Sequence, residues 1–170
     1  MLNVNVRKLL DEQFNKELYS AYLYLKISDY YNDKMLLGFA NWFKVQAQEE
    51  RDHAMLFMQY LQNNGATLSF DAIAEVDKSF DSIAAPLEVS LLHEQFVTAS
   101  INGIYEAAAA AKDYRTMQFL DWFIKEQGEE EANAETLIKK NQLFGSDGKG
   151  LYMLDSELAA RVYSPPSLVL

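Results

Sequence analysis

Cysteine is absent from this chain. Disulfides, thiolate metal sites and cysteine nucleophiles are therefore excluded. Proline and glycine are scarce, three and seven among 170 residues, too few for a linker-rich or collagen-like protein. Basic residues fall short of acidic ones, 15 Lys and Arg against 25 Asp and Glu, leaving a formal net charge of −10. Such a surface repels nucleic-acid phosphates and anionic lipids and attracts cations, so neither nucleic acid nor membrane is expected as a partner. No run reaches the roughly 18 apolar residues that a membrane span needs. The opening MLNVNVR has no basic region followed by an apolar run, so no secretory signal is visible and a cytoplasmic location is expected.

What the chain does contain is helix-forming sequence. About half of it is apolar, and Ala, Leu, Glu, Gln, Lys and Met fill long stretches. One domain over residues 1–170 is expected. Apolar residues recur at spacings of three and four through four segments, at about 4–31, 35–63, 86–111 and 114–144. Asn64-Gly65 reads as a C-terminal cap, and Pro86 suits a first helical turn. Two links are short. The third, residues 65–84, has no helical period and is long enough to cross a bundle from end to end. The predicted fold is all-α: a ferritin-like four-helix bundle with one long crossover between helices two and three. A short fifth helix is expected at about 151–162, followed by a tail over 163–170 whose last residues are loosely held.

Each of the four segments carries one carboxylate on its apolar stripe. Glu17 lies in register with Leu10, Phe14, Ala21 and Tyr24. Glu50 lies with Phe43, Ala47, Ala54 and Phe57, and Glu94 with Leu87, Leu91, Val97 and Ile101. Glu130 lies with Phe123, Ala134 and Leu137. Side chains so placed point into the core. A buried carboxylate costs several kcal/mol unless compensated, and four converging ones repel one another. No Lys or Arg shares those stripes. Protons can neutralise the group, but a multivalent cation does so more completely. Glu50 and His53 form Glu-x-x-His, two ligands on one helix face. Imidazole suits iron, zinc or copper, whereas carboxylates alone suit calcium or magnesium.

The segments Asn15-Lys-Glu17-Leu-Tyr-Ser-Ala21, Ala47-Gln-Glu49-Glu50-Arg-Asp-His53, His93-Glu94-Gln95 and Trp122-Phe-Ile-Lys-Glu126-Gln127-Gly-Glu129-Glu130-Glu131 closely resemble the bacterial non-haem ferritins. Gly150-Leu151-Tyr152 adds to the likeness, which spans the whole chain. The resemblance implies a hollow shell of 24 subunits that oxidises Fe(II) and stores it as ferric mineral. Residue by residue, it implies a first iron at Glu17, Glu50 and His53. Glu50 then bridges to a second iron at Glu94 and Glu130, with Gln127 beside it, and Glu49, Glu126 and Glu129 form a third, outer site. Tyr24 is implied as a hydrogen-bond or electron donor close to the iron pair, with Trp122 in a similar part.

Departures from related families sharpen this reading. Related di-iron families repeat Glu-x-x-His in the second half, whereas the stretch Gln127-Gly-Glu129-Glu130 here has no histidine, which implies an oxygen-only shell for the second iron and favours iron as a substrate passing through. Arg51 stands where haem-binding bacterioferritins carry methionine, so no haem is expected. The expected activity is that of a ferroxidase using O2 or hydrogen peroxide. Two alternatives remain: a rubrerythrin-like di-iron redox enzyme that retains its metal, and a non-catalytic shell-forming helical protein.

Overall fold

The computed structural model describes residues 2–170. Five helices follow in order: α1 (Val4–Asp33), α2 (Leu37–Asn63), α3 (Ala85–Ala110), α4 (Tyr114–Phe144) and α5 (Gly148–Leu158). No strand occurs among the described residues, and no helix among them is long and apolar enough to cross a membrane.

Helices begin where side chains satisfy the free amides of a first turn. Asn3 accepts from Asn5 and Val6, Asp113 from Thr116, and Asp147 from Lys149 and Gly150. α2 has Leu36 at its N-cap and no cap of its own. Asp155 of α5 takes that role from 117 residues away, accepting from the Gly38 amide at 2.8 Å and the Phe39 amide at 3.0 Å. Its charge also meets the positive end of the α2 dipole. Gly38 permits the approach, because a Cβ there would lie 1.7 Å from the Asp155 carbonyl oxygen.

The two short turns each use a left-handed residue, Met35 at φ 59° and Lys112 at φ 56°. Met35 therefore cannot open α2, which starts at Leu37 rather than at residue 35. Gly65, at φ 71°, closes α2 where the Asn64-Gly65 pair predicted a cap. α5 spans Gly148–Leu158 rather than 151–162. Asp147 caps it earlier than expected, and the Asn41 amide ends it by donating to the carbonyls of Ala159 and Arg161.

Cross-helix pairs fix the directions. Ser28 of α1 meets Ala40 of α2, and Tyr24 meets Phe43, so these helices are antiparallel. Gln13 meets Ser100 and Tyr24 meets Glu94, so α3 also opposes α1. α2 and α3 therefore run parallel, as the long link predicted. That link lies along α1 in register. Arg7 bonds the Thr67 carbonyl, Asn15 that of Ser69, Lys26 that of Val76 and Tyr31 that of Ile83. Val76 is buried within it.

The core falls into two apolar clusters. One gathers Leu10, Phe14, Phe57, Val97, Ile101, Phe119 and Phe123. The other gathers Leu23, Ile27, Tyr31, Phe39, Phe43, Leu87 and Leu137. Between them lies a layer of buried polar groups.

Gly38→Ala is expected to lift α5 off α2 and to lower unfolding stability by about 2 kcal/mol. Asp155→Ala, which removes only the cap, should cost about 1 kcal/mol. Denaturant midpoints check both, and an unchanged midpoint for Gly38→Ala contradicts the contact.

Candidate metal centre

The polar layer is built from one position on each bundle helix. Glu17, Glu50, Glu94 and Glu130 are all at least 94% buried, and His53 is 2% exposed. Glu17, Glu50 and His53 each offer a ligand atom, and these atoms lie within 4.8 Å of one another. His53 Nδ1 is 3.5 Å from a Glu50 oxygen. The imidazole is walled by the rings of Trp122 and Phe123, at 5.5 and 5.8 Å.

Each member of the Glu pair is steadied by a glutamine one turn earlier. Gln13 donates to Glu17 at 2.8 Å and Gln46 to Glu50 at 3.0 Å. The other Glu17 oxygen, Oε2, is buried with no hydrogen-bond partner. An orphaned carboxylate oxygen facing a histidine and a second carboxylate fits a metal ion, which accepts its lone pair. The two glutamines escaped the sequence reading. Their signal was the i, i+4 spacing to Glu17 and Glu50, which places amide and carboxylate on one face.

Glu94 and Glu130 belong to the same electrostatic site but stand outside that compact triad. Glu94 accepts from the Tyr24 hydroxyl and from Gln127 Nε2 at 3.1 Å. Tyr24 thus occupies the carboxylate layer with its hydroxyl on Glu94, and Gln127 holds the opposite oxygen. A buried carboxyl turns to whatever donors it can reach.

Protonation follows from this crowding. Burial, followed by the Glu50 charge, pushes the Glu17 carboxyl up to about 8. Burial and Glu50 push Glu130 up to about 7. Glu94 is raised well above the usual carboxylate range by burial, Glu50 and Glu130. Burial also works against the Glu50 charge, but the bonds and charge of His53, with Gln46, hold that carboxyl below its usual value. Burial disfavours the His53 imidazolium too. The Glu50 bond and charge, with Glu17 and Glu130 behind them, nevertheless raise it to about 10. Without a metal, protons therefore do part of the neutralising.

The three remaining predicted residues lie on the outer side of this layer. Glu49, Glu126 and Glu129 line a cavity of about 270 Å³, along with His53, Glu130 and Trp122. Glu49 and Glu126 are half-buried and Glu129 is exposed. Arg161 enters the same cavity and pairs with Glu49 at 2.5 Å. The tail, expected to be loosely held at its end, is instead anchored: the Trp122 indole donates to Ser167, and Leu168 packs on the core. Its partners are distant in sequence, which a local reading cannot see.

The Ferritin-like domain family profile matches residues 7–144. A bacterial non-heme ferritin of Campylobacter jejuni is 39% identical over 155 residues, covering 91% of this chain and 93% of that protein. One from Staphylococcus aureus is 37% identical over 163 residues, covering 96% and 98%. Among solved structures, an open-pore ferritin from Archaeoglobus fulgidus superposes with a TM-score of 0.93 at 38% identity, covering 95% of this chain and all of that one. A closed form of that ferritin, engineered by site-directed mutagenesis, gives 0.94 over 96% of this chain.

The pKa directions set a pH dependence. An unfolded Glu ionises near 4.5, while folded Glu17 keeps its proton to about 8 and Glu130 to about 7. His53 holds its proton from 6.5 up to about 10. Across pH 4.5–10 the native state thus binds more protons than the unfolded one, and these groups make stability fall as pH rises. Metal-free protein should lose thermal stability from pH 5 to 9. Glu17→Gln should flatten the lower half of that slope, and zinc uptake at pH 7 should release protons. Unfolding scans and weakly buffered titration measure these effects; zinc uptake without proton release contradicts the assignment.

Proposed function

Because the chain belongs to the Ferritin-like domain family, we propose that it is an iron-storage subunit with ferroxidase activity, working in the cytoplasm as part of a hollow homo-oligomeric shell of 24 copies. The observation that carries this reading is the buried layer of four carboxylates and one histidine, in which one Glu17 oxygen has no hydrogen-bond partner. His53 is the one basic side chain set within that layer among the described residues, and four carboxylates around a single imidazole call for a cation.

Iron is the substrate. Glu17, Glu50 and His53 take one Fe(II), and Glu50, Glu94 and Glu130 take the second, with Gln127 orienting Glu94. Two Fe(II) ions give up two electrons, which reduce dioxygen to hydrogen peroxide or hydrogen peroxide to water. The phenol of Tyr24, bonded to Glu94, sits where it can supply a hydrogen bond or a further electron. Hydrolysis of Fe(III) then releases protons to solvent. The inequality of the two positions supports iron as cargo. The first has an imidazole, while the second has oxygen donors only and holds its ion less tightly.

The outer carboxylates Glu49, Glu126 and Glu129 give Fe(III) a way off the inner pair, since Glu130 and His53 line their cavity. The net charge of −10 draws Fe(II) inward and favours mineral nucleation. Haem has no part in this reading.

Oxygen consumption on adding Fe(II), followed by size-exclusion chromatography and iron counting, tests the proposal. A large shell should retain far more than two irons per chain. Glu50→Ala and His53→Ala should each slow the fast phase at least about tenfold. Iron staying at two per chain points instead to a retained di-iron cofactor, and mutant rates equal to wild type remove the site.

A further inference from the structure

The chain after α5 does not leave the bundle. Asn41 of α2 holds the Arg161 carbonyl at 3.0 Å. The Arg161 guanidinium then stacks 4.2 Å from the Trp42 ring centroid, donates to the Trp42 carbonyl at 3.3 Å and pairs with Glu49 at 2.5 Å. Beyond it, the Tyr163 hydroxyl donates to Asp52 at 2.5 Å, and the Trp122 indole donates to Ser167 at 3.0 Å. Residues 164–167 form one wall of the cavity whose other walls carry Glu49, Glu126, Glu129 and Glu130.

The Arg161–Glu49 pair is not an ordinary surface ion pair. Both side chains are only 15–16% exposed, so the interaction is weakly screened. A guanidinium brings positive charge and donors but no lone pair. It neutralises Glu49 without offering a metal anything to bind. A carboxylate oxygen engaged by arginine is withdrawn from coordination until the arginine lets go.

We propose that residues 161–167 are a cover over the outer carboxylate cavity, and that Arg161 is a tethered counter-ion which an incoming divalent cation must displace from Glu49. This rests on the reading of Glu49, Glu126 and Glu129 as an outer metal site. In the exchange, Glu49 passes from the guanidinium to the metal, Arg161 turns to solvent, and no bond beyond the ion pair and its hydrogen bonds changes. The tether lowers the affinity of the outer site relative to the inner pair. Ions therefore fill the inner positions before the outer one.

Zinc titration of the metal-free assembled protein tests this, because zinc is redox-silent and leaves ferroxidase activity out of the readout. Trp42 stacks on Arg161, so its emission reports the displacement; Trp122 also walls His53, so Trp122→Phe is the background throughout. With Arg161 in place, the weakest of three binding steps per chain should carry the Trp42 emission change. Arg161→Ala should tighten that step about tenfold. Arg161→Gln keeps a donor for the Trp42 carbonyl but loses the charge, and should tighten it similarly. Arg161→Lys should stay near wild type. Glu49→Gln should abolish the step in every background. An unchanged third step in both Arg161→Ala and Arg161→Gln, still abolished by Glu49→Gln, overturns the cover while leaving the outer site standing. Three undiminished steps in Glu49→Gln remove the outer site, and the proposal with it.

Discussion

Four carboxylates buried between two apolar clusters are the constraint on which the rest of this structure depends. Water is excluded from them, and their mutual repulsion is felt at low dielectric. Every neighbouring polar group is arranged in answer. Gln13 and Gln46 donate to the first pair, while Tyr24 and Gln127 donate to Glu94. His53 takes up a proton and lends Glu50 a positive charge. The donors do not complete the task, since one Glu17 oxygen remains without a partner. A layer so expensive to bury has no structural advantage over leucine.

The rest of the fold serves to bring that layer together. The turns at Met35 and Lys112 make two helical hairpins, each contributing two of the four carboxylates. The crossover lets the hairpins face one another with α2 and α3 parallel. It is held to α1 by side chains along nearly its whole length, so its lack of regular structure is not looseness. At the far end, Asp155 ties α5 to the start of α2, and the chain then turns back over the outer carboxylates.

Much of this was legible in the sequence because it is periodic. Glu17, Glu50, Glu94 and Glu130 could be assigned to the interior from their neighbours three, four and seven positions away. Helix direction followed from link length. The features that escaped are those set by contacts between distant residues. Nothing near Leu36 announces that Asp155 will cap α2. Nothing near Arg161 announces Glu49, 112 positions earlier. Met35 adopts a left-handed turn that glycine normally fills, so the start of α2 was read too early. The separation of Glu94 and Glu130 from the compact triad is a matter of side-chain geometry, with Glu94 held by Tyr24 and Gln127, and spacing alone carries no trace of it.

The crossover also has a kinetic meaning. Each hairpin closes over a short turn, a local event with little loop entropy to overcome. Docking one hairpin on the other must wait for a contact such as Tyr24 with Glu94, 70 residues apart, and non-local contacts of this kind slow folding. The desolvation of the carboxylates is concentrated in that same late step, because a single hairpin leaves its acids facing water. The carboxylate layer is thus complete only in a chain whose halves have joined.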